Sequence, residues 1–192
     1  MSLTKIAVFG GAFDPPHRGH AAVARHLTGL FDEVWVMPAY KHMYDKRMTP
    51  YEDRLEMCNL LFREDSKIII SDFESHYPEL DGSYALLTKL TELNPTTDFY
   101  FVIGQDNANT VERWKNYERL LNEFAFVVFP RPGYVETKSW YKQAPHLFVE
   151  NMTSAPPISS TTIRKQLKNK QAADYLSRSV IGYIKNNRLY GC

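Results

Sequence analysis

Six short apolar runs constrain the fold. KIAVFG (5–10), EVWVMP (33–38), KIIISDF (67–73), DFYFVIG (98–104), FAFVVFP (124–130) and HLFVE (146–150) are rich in β-branched and aromatic residues, and mostly continuous rather than alternating. Strands buried on both faces read this way, because neither face meets water. Helical stretches separate them. RGHAAVARHLTGLF places Ala22, Leu27, Leu30 and Phe31 on one side. TPYEDRLEMCNLLF opens with Thr49 as N-cap, Pro50 at the first helical position and Glu52 three residues after the cap. SYALLTKLTEL and NYERLLNEF are shorter. Alternation of strand and helix predicts an α/β fold, a Rossmann-like doubly wound parallel sheet. After the sixth strand, NMTSAPPISSTTIRKQLKNKQ and YLSRSVIGYIKNNRLYGC both read as helical behind a proline-rich lead-in. At 192 residues the expectation is a single domain, 1–192, with a C-terminal helical part over about 159–192.

Charge narrows the partners. A net charge of +1 argues against bulk attraction to nucleic acid or to an anionic membrane, yet a pocket can still be locally basic. Cys58 and Cys192 are too few for a disulfide framework or a thiolate zinc site, and a reducing compartment is the simplest reading. No stretch approaches the ~20 apolar residues of a membrane span, and the first apolar run is shorter than a secretory h-region of ~7–15. The chain reads as cytoplasmic.

In open α/β sheets ligands bind beyond the carboxyl ends of the strands, so the loops after strands one, two, four and six are the candidate site. The first of these is GGAFDPPHRGH (10–20). Gly10 and Gly11 permit a tight turn with uncovered amides. Asp14, Pro15 and Pro16 set a rigid turn before a helix whose N-terminus favours anions. His17 and His20, at i and i+3, share a face of its first turn, and Gly19 removes a side chain between them. Two imidazoles can donate hydrogen bonds to phosphate and, if charged, screen negative charge developing on a leaving group. The plainer alternatives are a zinc pair lacking a third ligand at metal spacing, and ordinary capping and packing. Neither G-x-G-x-x-G nor G-x-x-x-x-G-K-[ST] follows the first strand.

The second constellation is PPISSTTIRKQL. Ile158 ends an extended segment, Ser159, Ser160, Thr161 and Thr162 suit an N-cap and first turn, and Arg164 follows one turn later. Hydroxyls, amides and a guanidinium converging on one spot suit phosphate; taken alone, the motif reads equally as a capped surface helix.

These residues carry a family resemblance. GGAFDPPHRGH resembles the G-x-F-D-P-x-H-x-G-H signature of the nucleotidyltransferase superfamily, and ISSTTIR resembles its I-S-S-T-x-I-R signature, in matching order and separation. FVIGQDN (101–107), Trp114, RPG (131–133) and VIGYIKNNRLYG (180–191) resemble the nicotinate (or nicotinamide) mononucleotide adenylyltransferases. The likeness spans nearly the whole chain. It implies transfer of AMP from ATP to a pyridine mononucleotide by direct attack on the α-phosphorus, releasing pyrophosphate and forming the dinucleotide of NAD biosynthesis. By position it implies that His17 and His20 hold the ATP phosphates. Gly10, Gly11, Ala12 and Phe13 would contribute backbone contacts where the two substrates meet, beside Gly19. Ile158, Ser159, Ser160, Thr161 and Arg164 fall at the β- and γ-phosphates, and Gly104 and Asp106 against ribose and phosphate. Trp114 would pack on the pyridine ring, with Asp14, Tyr84 and Arg131 also on the mononucleotide side.

Relatives place a lysine in a P-P-H-K run to contact the mononucleotide phosphate. Here PAYKHMYDKRM (38–48) has His42 and Lys46 in an H-x-x-x-K arrangement, with Lys41 beside them. Lys46 is the favoured contact, counted with His17, His20 and Arg164 in the catalytic set; a solvated basic loop is the alternative. Arg54, on the next helix, can pair with a glutamate or substrate, and a structural role is favoured. Ser83-Tyr84-Ala85 stands where many nicotinate-preferring relatives read S-Y-T, which leaves the choice between nicotinate and nicotinamide open. The resemblance implies Mg²⁺ accompanying ATP, held mostly by substrate and water. It leaves a homo-oligomer open, since dimers and higher assemblies both occur among relatives. Two other functions compete: a nucleotidyltransferase for another acceptor (phosphopantetheine or glycerol phosphate), and a non-catalytic nucleotide sensor. The sensor predicts damage to the phosphate-handling residues, and both histidines, the hydroxyl cluster and Arg164 are present.

Overall fold

The computed structural model describes residues 3–41, 48–131, 133–150, 158–167 and 173–192. Strands β1 (Thr4–Gly11), β2 (Glu33–Pro38), β3 (Ile68–Ile70), β4 (Thr97–Gly104), β5 (Ala125–Phe129) and β6 (Leu147–Phe148) form one sheet in the order β3-β2-β1-β4-β5-β6. Every neighbouring pair is parallel. Chain order runs outward from β1 on one side and from β4 on the other. Loops leaving these two strands therefore diverge, opening a crevice at their carboxyl ends.

Burial explains the continuous apolar runs. In β1, Ala7 and Phe9 face one core while Ile6 and Val8 face the other, all at 5% exposure or less. The first core is covered by α1 (Arg18–Leu27), α2 (Tyr51–Phe62), α7 (Ser160–Leu167) and α8 (Arg178–Asn186), through residues such as Val23, Met57, Ile163 and Ile184. The second is covered by α4 (Ser83–Leu93), α5 (Gln105–Ala108) and α6 (Tyr117–Glu123), through Leu87, Ala108 and Leu120. A further short helix, α3 (Phe73–His76), follows β3. No helix among the described residues is long and apolar enough to cross a membrane.

Two local expectations need correction. Helix α1 ends at Leu27 and buries Gly19, Ala21, Val23, Ala24 and Leu27. Leu30 lies beyond it and is 52% exposed, so the apolar face inferred through Ala22 and Leu30 is displaced. Helix α2 starts at Tyr51 with Pro50 as its cap residue. Thr49 does not cap it: its carbonyl receives Arg54 Nε at 2.9 Å and its amide points to Asp14 at 3.4 Å.

Candidate active site

The turn from β1 into α1 is built around a reciprocal histidine cap. His17 is the N-cap residue, and its Nδ1 accepts the amides of Gly19 (3.1 Å) and His20 (3.4 Å). His20 Nδ1 in turn accepts the amide of His17 at 3.2 Å. A glutamate ordinarily closes such a box from the third helical position; here a second imidazole does so. The two rings stack at 3.7 Å between centroids. A nitrogen that accepts an amide carries no proton, so each neutral ring bears its proton on Nε2. The first-turn amides expected to stay open for an anion are therefore spent on the imidazoles, and the Nε2–H groups become the donors. Phe13 lies under His20, with centroids 4.8 Å apart, and is 2% exposed with φ of 47°. A bulky residue in the left-handed region costs energy, and such strain concentrates at functional turns.

Both imidazoles are held neutral. Burial, reinforced by the Arg131 guanidinium, lowers His17 to about 4. Burial, then His17, then Arg131 push His20 well below its ordinary value. Screening by standing positive charge on the rings, entertained from sequence, is thus replaced by neutral hydrogen-bond donation. One consequence is measurable. Between pH 6.5 and about 4 the unfolded chain takes up the proton that folded His17 refuses, so stability rises with pH across this window. Unfolding free energy is expected to fall by about 3 kcal/mol on going from neutral pH to pH 4. Urea titrations of the wild type and His17→Asn over that range check it: the variant should lose much of the slope.

Helix α7 is stitched directly to this turn. Ser160 Oγ donates to the Pro15 carbonyl at 2.9 Å, and Arg164 Nη1 donates to the Asp14 carbonyl at 2.5 Å. Arg164 Nη2 reaches Thr161 Oγ1 at 3.2 Å. Ser159 caps the helix, its Oγ accepting the Thr162 amide at 3.2 Å, and Ile158 packs on the first core. The two end motifs, about 150 residues apart in the chain, thereby share one crevice.

Across the crevice β4 ends at Gly104, and Asp106 lies in the first turn of α5. Asp106 Oδ1 and Arg131 Nε are 3.3 Å apart but not aligned for a hydrogen bond, and among the described residues neither atom has another partner. A Cβ at Gly104 would come within 2.7 Å of Arg131 Nε, which explains the glycine. Arg131 therefore sits beside Asp106, close enough for its charge to act on both histidines, and is not among the residues lining the cleft described next.

On the other face of the sheet a cleft of about 630 Å³ opens beside the β1 end, lined by Gly10, Gly11, Ala12, Lys41, Phe101 and Trp114 among others. The half-buried Trp114 packs edge-on against Phe101, centroids 6.2 Å apart. Lys41 Nζ donates to the Pro78 carbonyl at 3.0 Å across the cleft mouth. The half-buried Glu74 carboxylate, also in the lining, accepts the Tyr40 amide at 3.0 Å, and burial raises its pKa. Tyr84 does not belong here: its hydroxyl donates to Glu123 of α6 at 2.8 Å, because the first turn of α4 presents it to that helix. The Asp14 carboxylate is likewise spent inside the protein, on Thr49 and Tyr190. His42 and Lys46 lie outside the described residues.

Arg54 has the structural role favoured for it from sequence, as a builder of this loop. Its side chain is 1% exposed and its Nη1 donates to the Ala12 carbonyl at 2.9 Å, pinning the loop from beneath. An arginine on the inward face of an apolar helix is the signal that marks it.

The family model for cytidylyltransferase-like proteins matches residues 8–166. A Bacillus cytotoxicus protein named "probable nicotinate-nucleotide adenylyltransferase" is 33% identical over 195 residues, covering 98% of this chain and 99% of that one. A Myxococcus xanthus protein of the same name is 34% identical over 194 residues, covering 97% and 95%. Among solved structures, Plasmodium falciparum nicotinic acid mononucleotide adenylyltransferase complexed with NaAD superimposes with a TM-score of 0.86 at 29% identity over 97% of both chains. The same enzyme complexed with APC gives 0.83 at 28% identity.

Proposed function

Since this chain belongs to the nicotinate-nucleotide adenylyltransferases of the cytidylyltransferase-like family, we propose that it transfers the adenylyl group of ATP to nicotinate mononucleotide, releasing pyrophosphate and forming the dinucleotide. The observation that carries this is the stitching of Arg164 and Ser160 to the Asp14–Pro15 backbone, which brings the two end motifs together, as one shared polyphosphate would require.

In this reading the mononucleotide phosphate oxygen attacks the α-phosphorus of ATP in line. Such transfer asks a protein for positioning and charge stabilisation rather than covalent chemistry. The Nε2–H groups of His17 and His20 donate to phosphate oxygens of ATP as charge shifts toward the leaving pyrophosphate. Arg164, Ser159, Ser160 and Thr161 grip its β- and γ-phosphates, and the under-satisfied pair Asp106–Arg131 meets ribose and phosphate beside Gly104. Mg²⁺ on the triphosphate would neutralise negative charge there. Such a metal would be carried mostly by substrate and water. Lys41 lines the cleft, and Lys46 with His42 keep the role in contacting the mononucleotide phosphate that the family resemblance implies. The free thiols of Cys58 and Cys192 support a cytoplasmic setting.

The test is an assay of the purified protein with ATP and Mg²⁺ against nicotinate mononucleotide, nicotinamide mononucleotide, phosphopantetheine and glycerol phosphate. The first should be the best acceptor, with pyrophosphate released in step with dinucleotide; preference for either non-pyridine acceptor overturns the reading. The ring assignment has its own check. Trp114→Ala should raise KM for the mononucleotide about tenfold, the size expected for losing one base–aromatic stack, with KM for ATP nearly unchanged. Movement of the ATP constant instead would place Trp114 elsewhere.

A further inference from the structure

Asp14 is 3% exposed, and its carboxylate is pulled two ways. Oδ2 lies 3.8 Å from Arg164 Nη1, close enough to attract but too far to hydrogen-bond. Closing that gap would give a charge-assisted pair and withdraw the guanidinium from an incoming phosphate. On the opposite side, Oδ1 accepts the Tyr190 hydroxyl at 2.7 Å. Tyr190 sits in the 3₁₀ turn Leu189–Gly191, in the left-handed region at φ of 58°, and its ring packs on the first core. The backbone around Asp14 is fixed independently: Arg54 holds the Ala12 and Thr49 carbonyls, and Ser160 holds that of Pro15. The carboxylate itself has two holds: Oδ2 receives the Thr49 amide at 3.4 Å, at the long end of hydrogen bonding, and the short Tyr190 contact on Oδ1 is the stronger of the two.

We propose that Tyr190 is a positioning residue of the phosphate grip: its hydroxyl holds the Asp14 carboxylate off Arg164 and so keeps the guanidinium available to polyphosphate. Burial and the adjacent Asp14 carboxylate push the phenol well above its ordinary pKa, so it stays a donor across the working range. The inference rests on Arg164 as a phosphate ligand, the reading given above, and Tyr190 itself touches no substrate.

The experiment is calorimetric titration of pyrophosphate alone, with steady-state kinetics, on the wild type, Tyr190→Phe, Arg164→Ala and the double variant. Tyr190→Phe should weaken pyrophosphate binding by about tenfold to a hundredfold, as for one lost hydrogen bond to a charged group, and leave KM for the mononucleotide unchanged. Arg164→Ala should weaken it further, and in that background Tyr190→Phe should add nothing. Unchanged pyrophosphate affinity in folded Tyr190→Phe, or an equal loss in both backgrounds, overturns the inference. Full pyrophosphate affinity in Arg164→Ala overturns the reading beneath it as well. If Tyr190→Phe does not fold, Asp14→Asn decides. It keeps an oxygen for Tyr190 but removes the charge facing Arg164, so pyrophosphate should bind severalfold tighter; equal or weaker binding sinks the proposal.

Discussion

Replacing His20 with alanine is expected to lower kcat by about 10²- to 10³-fold, the range seen when one pre-aligned donor to a developing charge is removed. KM for ATP should move far less. The reason lies in how the ring is held. His17 donates its amide to Nδ1, Phe13 supports the ring from below, and burial with two cationic or titratable neighbours keeps it neutral. A donor fixed before substrate arrives gains most where phosphate charge is still growing. Single-turnover and steady-state measurements separate the cases: equal losses in kcat and in ATP affinity would make His20 a ground-state ligand instead.

Arg54→Met is expected to lower unfolding free energy by about 3 kcal/mol, because two half-buried carbonyl acceptors lose charge-assisted donors together. For a chain of this size that corresponds to a melting temperature lower by roughly 6–12 °C. The guanidinium supplies Nη1 to Ala12 and Nε to Thr49, and it stacks 5.6 Å over the Tyr51 ring. A neutral chain of similar length fills the volume but leaves both carbonyls unpaired. Buried charges can nevertheless be near-neutral in net worth, since desolvation opposes their contacts. A calorimetric shift below about 3 °C would mean that desolvation has cancelled the gain here. Because Ala12 borders the substrate junction, activity measured well below the transition should fall too.

The core of the fold was legible because β1, β2, β4 and β5 are buried on both faces, and such strands must be written as unbroken apolar runs. Helices α3 and α5, of four residues each, are too short to show a period, and they went unseen. The α1 face was misjudged because the apolar spacing continues past Leu27 into residues that no longer belong to the helix. Within the site, the histidines and the Ser–Thr–Arg cluster could be found because each is a local pattern at a helix start. What each group bonds to could not. The Tyr84 hydroxyl donates to Glu123, 39 residues away, a contact no local pattern shows. Nor does the sequence show that the Asp14 carboxylate accepts the hydroxyl of Tyr190, 176 residues downstream. The neighbours of Arg131, Gly104 and Asp106, lie on a different strand–helix unit, which no local pattern shows.

The sheet order gives its two faces separate duties. The histidine cap, α7 and Tyr190 belong with the layer over the first core, whereas Trp114 and the rest of the base cleft belong with the layer over the second. The carboxyl ends of β1 and β4 border both. A scaffold divided in this way can trade one acceptor for another by rewriting loops on a single flank, so that lineages diverge in what they adenylate while inheriting the engine intact.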